Sequence, residues 1–181
     1  MSELDLKLLY SQEEIARQVK RLGDEISNDY PDSEILLVGV LKGSFLFVAD
    51  LARAIRSPLI VDFVRIASYG SDTQSSGIVE IRKDLELPIK DRDVIIVEDI
   101  VDTGLTLNHL KQLLGTRNPA SIALCTAFDK PDRRKVEIDV DYVGMRIRDE
   151  FIVGYGLDFD GRFRNLPDVA ILGDDSVGGD R

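Results

Sequence analysis

Three carboxylates lie within five residues of one another in the middle of the chain, at Glu98, Asp99 and Asp102. Four β-branched residues, 94–97, come directly before them, as expected of a buried strand. The turn that follows, residues 102–106, contains two hydroxyl side chains and a glycine, and a helical pattern begins after it. Because ligands of open α/β sheets bind beyond the carboxyl ends of the strands, this turn is a candidate ligand site.

The chemistry that this turn could perform is phosphate binding next to a proton acceptor. The free N–H groups at the start of a helix, together with the two hydroxyls, can donate to a phosphate dianion. Glu98 and Asp99 could bind Mg²⁺ or accept hydrogen bonds from sugar hydroxyls. Asp102 would then lie between phosphate and sugar, where it could accept a proton. The spacing fits equally well an acidic helix entry in which Asp102 is the N-cap, so both interpretations stay open.

The elements around the turn are predicted from apolar periodicity. A capping box at Ser11 and Glu14 starts a first helix, whose apolar face is Ile15, Val19, Leu22 and Ile26. A helix over residues 45–55 is predicted to place Phe45, Val48, Leu51, Ala52 and Ile55 on one side, and a helix over residues 105–114 follows the turn. Strands are predicted at residues 35–40, 59–66, 94–97, 121–127 and 141–145. This order predicts an α/β fold with a twisted, mainly parallel sheet flanked by helices.

One polar stretch, residues 68–77, separates two strand-like segments and contains one large apolar residue. Loops of this size without their own secondary structure are usually lids, binding loops or disordered segments. Its local features favour a functional lid that begins at Ser68 and Tyr69.

Composition excludes several classes of protein. The chain has 181 residues, with 23 Lys and Arg against 33 Asp and Glu, for a net charge of −10. This balance argues against a partner that is a nucleic acid and against a polybasic membrane anchor. The single cysteine, Cys125, excludes a disulfide within the chain and is expected to be a buried, inert strand residue. With no signal-peptide pattern and no apolar stretch of about 20 residues, the expected location is cytoplasmic.

The acidic turn resembles the phosphoribosyl pyrophosphate signature of the type I phosphoribosyltransferases, in the form seen in the branch that acts on 6-oxopurines. Further blocks agree in the same order, namely residues 40–44, 67–69, 129–131 and 150–158. The resemblance covers about residues 36–172. It implies a single domain, 1–181, with a core over about 11–128 and a hood over about 129–172 that includes the N-terminal arm. Residues 173–181 would form a polar tail.

The resemblance assigns roles to the acidic turn. Glu98 and Asp99 would bind the ribose hydroxyls, directly or through Mg²⁺. Asp102 would be the catalytic residue, taking the proton from N7 of the purine so that the base attacks C1 of the ribose. Backbone amides and hydroxyls would hold the 5′-phosphate, from Asp102, Thr103, Gly104, Leu105 and Thr106.

Residues outside the turn complete the implied site. Leu41, Lys42 and Gly43 resemble the pyrophosphate loop, whose first peptide bond is often cis, and Arg164 would contact the same pyrophosphate. Ser68 and Tyr69 resemble the start of the catalytic lid. The purine would be bound by Lys130 at O6, by Phe151 through stacking, by the backbone of Ile152 and by Asp158, which also matches a metal position. Without the resemblance, Lys42-Gly43 is an ordinary turn, Lys130 a surface lysine and Phe151 a core residue.

The activity implied by the resemblance is purine salvage. The phosphoribosyl group of phosphoribosyl pyrophosphate would pass to N9 of hypoxanthine or guanine, giving IMP or GMP and pyrophosphate, with Mg²⁺ as cofactor. Members of this family are dimers or tetramers, so a homodimer or homotetramer is expected. The alternative of a different class is a regulator that keeps the fold and uses it to sense nucleotides.

Overall fold

The computed structural model describes residues 5–68 and 79–173. Its main sheet has six strands: β2 Ile35–Leu41, β3 Leu59–Ser68, β4 Val79–Lys83, β5 Asp93–Val101, β6 Ser121–Asp129 and β7 Tyr142–Arg146. They lie in the order β4-β3-β2-β5-β6-β7. All are parallel except β4, which pairs antiparallel with β3 at the edge of the sheet. The predicted fold class, α/β with a mainly parallel sheet, is confirmed.

The central strands are buried on both faces because their side chains are apolar without interruption. Ile35, Leu36, Leu37 and Val38 of β2 are all fully buried, as are residues 94–97 of β5. Cys125, in β6, is also buried, and burial raises the pKa of its thiol, which fits the inert role predicted for it. The β5 strand is longer than predicted, since it continues through Glu98 and Asp99 to Val101.

Within residues 5–68 and 79–173, three α-helices flank the sheet: α1 Gln12–Asp29, α2 Phe45–Ala54 and α3 Leu105–Gly115. The capping box predicted at the start of α1 is present, with Ser11 and Glu14 bonded reciprocally. The predicted face of α2 is partly wrong, because Phe45 is 39% exposed and Phe47 is buried instead. The helix packs on the sheet through Phe47, Val48 and Leu51, which turns its first residue toward solvent.

A second, three-stranded sheet has the order β1-β9-β8, with β1 Leu6–Tyr10, β8 Ile152–Val153 and β9 Val169–Leu172. It joins the N-terminal arm to the C-terminal part of the chain through antiparallel pairing of β1 with β9. The boundaries predicted for the hood stay a prediction; β7 falls inside them but belongs to the main sheet.

The segment predicted as a lid connects β3 to its hairpin partner β4. Ser68 is the last residue of β3 and pairs with Val79. Tyr69 and the rest of the lid lie outside the described residues, as does the polar tail from residue 174. Within the described part of the chain, no helix has both the length and the apolar character needed to cross a membrane.

Candidate active site at the carboxyl ends of the parallel strands

The predicted site segments follow three neighbouring strands. Lys42 comes after β2, Asp102 after β5 and Lys130 after β6, and these strands are adjacent and parallel in the order β2-β5-β6. In the register of β5 and β6, Val101 pairs with Asp129. The sheet therefore brings the predicted pyrophosphate loop, phosphate turn and base contact together at the carboxyl ends of its parallel strands.

The phosphate turn forms a cavity of about 120 Å³, whose lining includes Glu98, Asp102, Thr103 and Thr106. Gly104 is the N-cap of α3 and has a φ of 78°, a conformation that glycine adopts readily. Because the N-cap is Gly104, the interpretation of Asp102 as an N-cap is wrong; the Thr103 hydroxyl accepts a long hydrogen bond, 3.4 Å, from Leu105 N–H. The N–H groups of the first turn of α3 thus face a cavity of the size of a small anion.

The Asp102 carboxylate is bound by an arginine from another part of the chain. Arg133 Nε donates to Asp102 Oδ1 at 3.0 Å, and Arg133 Nη1 donates to Asp149 Oδ2 at 3.1 Å. Asp102 is 41% exposed at its side chain. Its carboxylate is therefore oriented by a cation and still accessible to a ligand.

Glu98 and Asp99 lie next to each other within β5 and are both half-buried. Burial, together with the adjacent charge of Asp99, raises the pKa of Glu98 well above its usual range, and burial also raises the pKa of Asp99. Binding of a cation would relieve this cost. Mg²⁺ commonly takes one or two protein carboxylates and completes its shell with water and substrate phosphates, so the pair fits such an ion.

The predicted pyrophosphate loop packs tightly against this acidic pair. The peptide bond between Leu41 and Lys42 is cis. A Cβ atom placed on Gly43 would overlap the Asp99 carboxylate, and one placed on Gly156 would overlap the carbonyl oxygen of Gly43. Lys42 itself is exposed. The loop therefore approaches the acids through its backbone, while the exposed Lys42 side chain can reach a ligand.

The predicted base-binding residues lie near one another. Lys130 is only 8% exposed, and its Nζ donates to the backbone oxygen of Glu150 at 2.6 Å. Phe151 is 44% exposed and contacts Phe159 edge-on at 5.7 Å between ring centroids, which leaves a ring face available for stacking. Ile152 is buried in β8. The interpretations of Lys130 as a surface lysine and of Phe151 as a core residue are therefore wrong.

Asp158 and Arg164 form a pair with each other. Arg164 Nη2 lies 2.6 Å from Asp158 Oδ1, and Arg164 Nη1 donates to the backbone oxygen of Gly156 at 2.6 Å. Over residues 5–68 and 79–173, no three His, Cys, Asp or Glu side chains form a group that could hold a metal ion. The structure therefore does not bring Glu98, Asp99 and Asp158 together as one metal site, and the role of Asp158 stays a prediction.

Three charged residues near the site were not predicted from the sequence, namely Arg133, Arg134 and Asp149, and Asp129 was included in a matching block without a role of its own. Arg134 contacts the Asp129 carboxylate and donates to the backbone oxygen of Val101 at 2.8 Å. The signal available in the sequence was the Arg-Arg pair that follows the Lys-Pro motif by one residue. A larger cavity of about 490 Å³, between α1, α2 and Tyr155, contains none of the predicted site residues.

Together, the parallel sheet, the glycine turn that opens a helix and the acidic strand end define an α/β protein with a candidate anion site at the carboxyl ends of its strands. The comparison with family models gives a match to the phosphoribosyl transferase domain over residues 5–160. The chain belongs to this family, as the residues around Asp102 indicate.

Relatives and solved structures agree with this membership. The chain is 48% identical over 166 residues to a hypoxanthine-guanine phosphoribosyltransferase of Bacillus subtilis, with 92% of each chain covered. It is 46% identical over 166 residues to a hypoxanthine phosphoribosyltransferase of Salmonella typhimurium, covering 91% of this chain and 93% of the relative. A crystal structure of a hypoxanthine phosphoribosyltransferase from Staphylococcus aureus has a TM-score of 0.93 and 42% identity, covering 98% of this chain and 95% of that one.

Proposed function

We propose that this protein is a purine salvage enzyme that transfers the 5-phosphoribosyl group of phosphoribosyl pyrophosphate to N9 of hypoxanthine or guanine. The products are IMP or GMP and pyrophosphate. The observation that carries the proposal is that Asp102, Lys130 and the phosphate turn lie together at the carboxyl ends of neighbouring parallel strands. The relatives are named as transferases of this kind, which favours an enzyme over a nucleotide-sensing regulator.

The 5′-phosphate binds in the cavity of the phosphate turn. The backbone amides and hydroxyls of residues 102–106 donate to it, with Thr103 and Thr106 supplying the hydroxyls. Phosphate charge is favourable at this position because the N–H groups at the start of α3 have no partners within the helix. Glu98 and Asp99 bind the ribose hydroxyls on the other side of Asp102.

The reaction is a displacement at C1′ of the ribose. N9 of the base forms the new bond to C1′ while the bond from C1′ to the pyrophosphate oxygen breaks, and its electron pair leaves with pyrophosphate. The proton on N7 of the base passes to the Asp102 carboxylate. The sugar becomes cation-like as the bond breaks, so nearby carboxylates stabilise it.

Mg²⁺ is the proposed cofactor, which Glu98 and Asp99 would hold, while Asp158 would belong to a second, separate metal position. When bound, it would neutralise charge on the leaving pyrophosphate. The chain itself contributes the backbone of Leu41, Lys42 and Gly43 and the guanidinium of Arg164 to the same group. A lid that begins at Ser68 and Tyr69 would exclude water from the cation-like sugar.

Base selection depends on donors and on stacking. Lys130 donates to O6, which favours 6-oxopurines over adenine because the 6-amino group of adenine cannot accept this hydrogen bond. Phe151 stacks on the purine, and the backbone of Ile152 contacts the edge of the base. The protein is further proposed to work in the cytoplasm as a homodimer or homotetramer, with its hood closing over the base.

The test is a panel of bases assayed with phosphoribosyl pyrophosphate and Mg²⁺. Release of pyrophosphate is followed with hypoxanthine, guanine, xanthine, adenine and uracil. Turnover with hypoxanthine or guanine and none with adenine or uracil is expected. The Asp102→Asn variant is expected to lose about 100-fold or more in kcat while it still binds IMP, because it removes a general base and not a phosphate contact. An inactive wild-type protein with every 6-oxopurine would overturn the proposal.

A further inference from the structure

Arg133 connects the two groups proposed to contact the base. It is the last residue of the 3₁₀ turn Pro131–Arg133, which begins directly after Lys130. Its guanidinium bonds Asp102 at 3.0 Å and Asp149 at 3.1 Å, and Asp149 Oδ1 lies 3.7 Å from Lys130 Nζ. A continuous path of charges therefore runs from Asp102, proposed to face N7, to Lys130, proposed to face O6.

The contact between Arg133 and Asp102 contributes little to the stability of the fold. The side chains of Arg133, Asp102 and Asp149 are 46%, 41% and 52% exposed, and ion pairs between such exposed side chains contribute little to stability. The two carboxylates raise the pKa of Arg133, so the guanidinium stays charged throughout the working range of an enzyme.

The backbone at Asp102 is held independently of Arg133. Lys130 N–H donates to the carbonyl of Val101 at 2.9 Å, and Lys135 N–H donates to the carbonyl of Thr103 at 3.0 Å. The Arg134 guanidinium contacts the carbonyl oxygen of Asp102 itself. Arg133 is thus the member of this segment that acts on the Asp102 side chain, while its neighbours act on the backbone.

We propose that Arg133 is a positioning residue that orients the Asp102 carboxylate for proton transfer from N7 of the base. This inference rests on the proposed function of Asp102. The bond from Arg133 engages Oδ1, which leaves Oδ2 to accept the proton. When Asp102 becomes neutral, Arg133 keeps Asp149 as its charged partner, so no unpaired cation is left beside the base.

The inference predicts that Arg133 affects turnover more than substrate binding. Arg133→Ala is expected to lower kcat with hypoxanthine by about tenfold to a hundredfold, because a misplaced catalytic group costs rate of this order. The KM for phosphoribosyl pyrophosphate is expected to change by less than about twofold, because the phosphate contacts lie elsewhere. Arg133→Lys is expected to recover part of kcat, since lysine restores one charged donor but not the bridging geometry.

A double-mutant cycle separates positioning from general damage. In the Asp102→Asn background, Arg133→Ala is expected to change the residual kcat by less than about twofold, because the group it orients no longer accepts the proton. An equal loss in both backgrounds, or wild-type kcat in Arg133→Ala, would overturn the inference. If every 6-oxopurine fails with the wild-type protein, the proposed function fails instead, so the two failures are distinguishable.

Two controls accompany the cycle. Arg117→Ala removes another arginine pair, with Asp84 at 2.8 Å, and is expected to keep wild-type kcat. Asp149→Asn removes the second anchor of Arg133 and is expected to lower kcat in the same direction but less than Arg133→Ala. If Arg133→Ala fails to fold, Asp149→Asn still tests the inference. Thermal unfolding of each variant would reveal such a failure. Wild-type kcat in each of the single variants Asp149→Asn and Arg133→Lys would contradict a positioning role for Arg133.

Discussion

The carboxylate of Asp99 lies directly against the Cα atom of Gly43, with no room for a side chain between them. The same loop is closed from the other side, since the carbonyl oxygen of Gly43 lies against Gly156. The end of β5 at Asp99 and the segment at Gly156 thus pack against opposite sides of Gly43. The proposed pyrophosphate loop and the acidic end of β5 are positioned by this contact.

Gly43→Ala is expected to lower kcat/KM by about 100-fold or more, because the added methyl must displace either the Asp99 carboxylate or the loop. Steady-state assays with phosphoribosyl pyrophosphate and hypoxanthine measure this. Gly115→Ala is the matched control: it ends α3, its Cβ would meet nothing within 4 Å, and activity should be unchanged. Wild-type kinetics in Gly43→Ala would show that the close packing has no catalytic role.

Lys130→Met is expected to raise the KM for hypoxanthine by about tenfold to a hundredfold, since a hydrogen bond to a charged group contributes about 1.5–3 kcal/mol. The KM for phosphoribosyl pyrophosphate should stay within about twofold, because the proposed contact of Lys130 is with the base alone. Lys20→Met, on the exposed face of α1, is the control for loss of a lysine charge. An unchanged KM for the base would remove Lys130 from base recognition.

The parallel sheet was predictable because its buried strands are uninterrupted apolar runs, a pattern that depends on local sequence alone. The extent of β5 was not predictable in this way. Glu98 and Asp99 end the apolar run, yet the strand continues because its backbone pairs with β6 as far as Val101 and Asp129. Ladder hydrogen bonds do not depend on whether a side chain is polar, so the apolar pattern underestimates the strand.

The partners of the site residues were predictable only in part. The acidic turn is contiguous in sequence, so its members could be recognised together. Arg133, by contrast, meets Asp102 across 31 residues and Asp149 across 16, and these contacts form because β5, β6 and β7 lie side by side in the sheet. The N-cap of α3 was also not predictable, because Asp102 suits a helix start, whereas the φ of 78° at the observed N-cap, Gly104, is set by the folded turn.

Arg134→Met is expected to destabilise the protein by up to about 3–5 kcal/mol, because the buried Asp129 carboxylate then keeps only the exposed Arg146, whose Nε lies 3.9 Å away. The Asp129 side chain is 7% exposed and that of Arg134 19%, in contrast to the exposed pair made by Arg133. Denaturant unfolding measures the difference, with Arg133→Ala as the neighbouring control, which is expected to lose much less stability because its ion pairs are exposed. Adding Asp129→Asn to Arg134→Met should recover part of the stability, because the unpaired charge is removed. Equal losses of stability in Arg134→Met and Arg133→Ala would show that burial does not distinguish the two arginines.

The stability of the protein is expected to fall above about pH 10, the ordinary pKa of tyrosine. Burial, with hydrogen bonds to Asp29 and Asp50, raises the pKa of Tyr142 and of Tyr155 above that value in the folded protein. Their hydroxyls donate to these carboxylates at 2.7 and 2.8 Å. The stabilisation is complete below pH 10, where both states hold the proton, and is lost as the pH rises because the unfolded chain releases its protons first.

Denaturant unfolding at pH 8, 10 and 11 compares the wild-type protein with Tyr142→Phe, Tyr155→Phe and the double variant. Each group with a raised pKa can contribute a slope of up to about 1.4 kcal/mol per pH unit above pH 10. Each single variant should therefore reduce the alkaline loss of stability, and the double variant should reduce it further, although each loses about 1 kcal/mol at pH 8 from its missing hydrogen bond. Parallel pH profiles for all four proteins would mean that neither phenol keeps its proton more strongly in the folded state than in the unfolded chain.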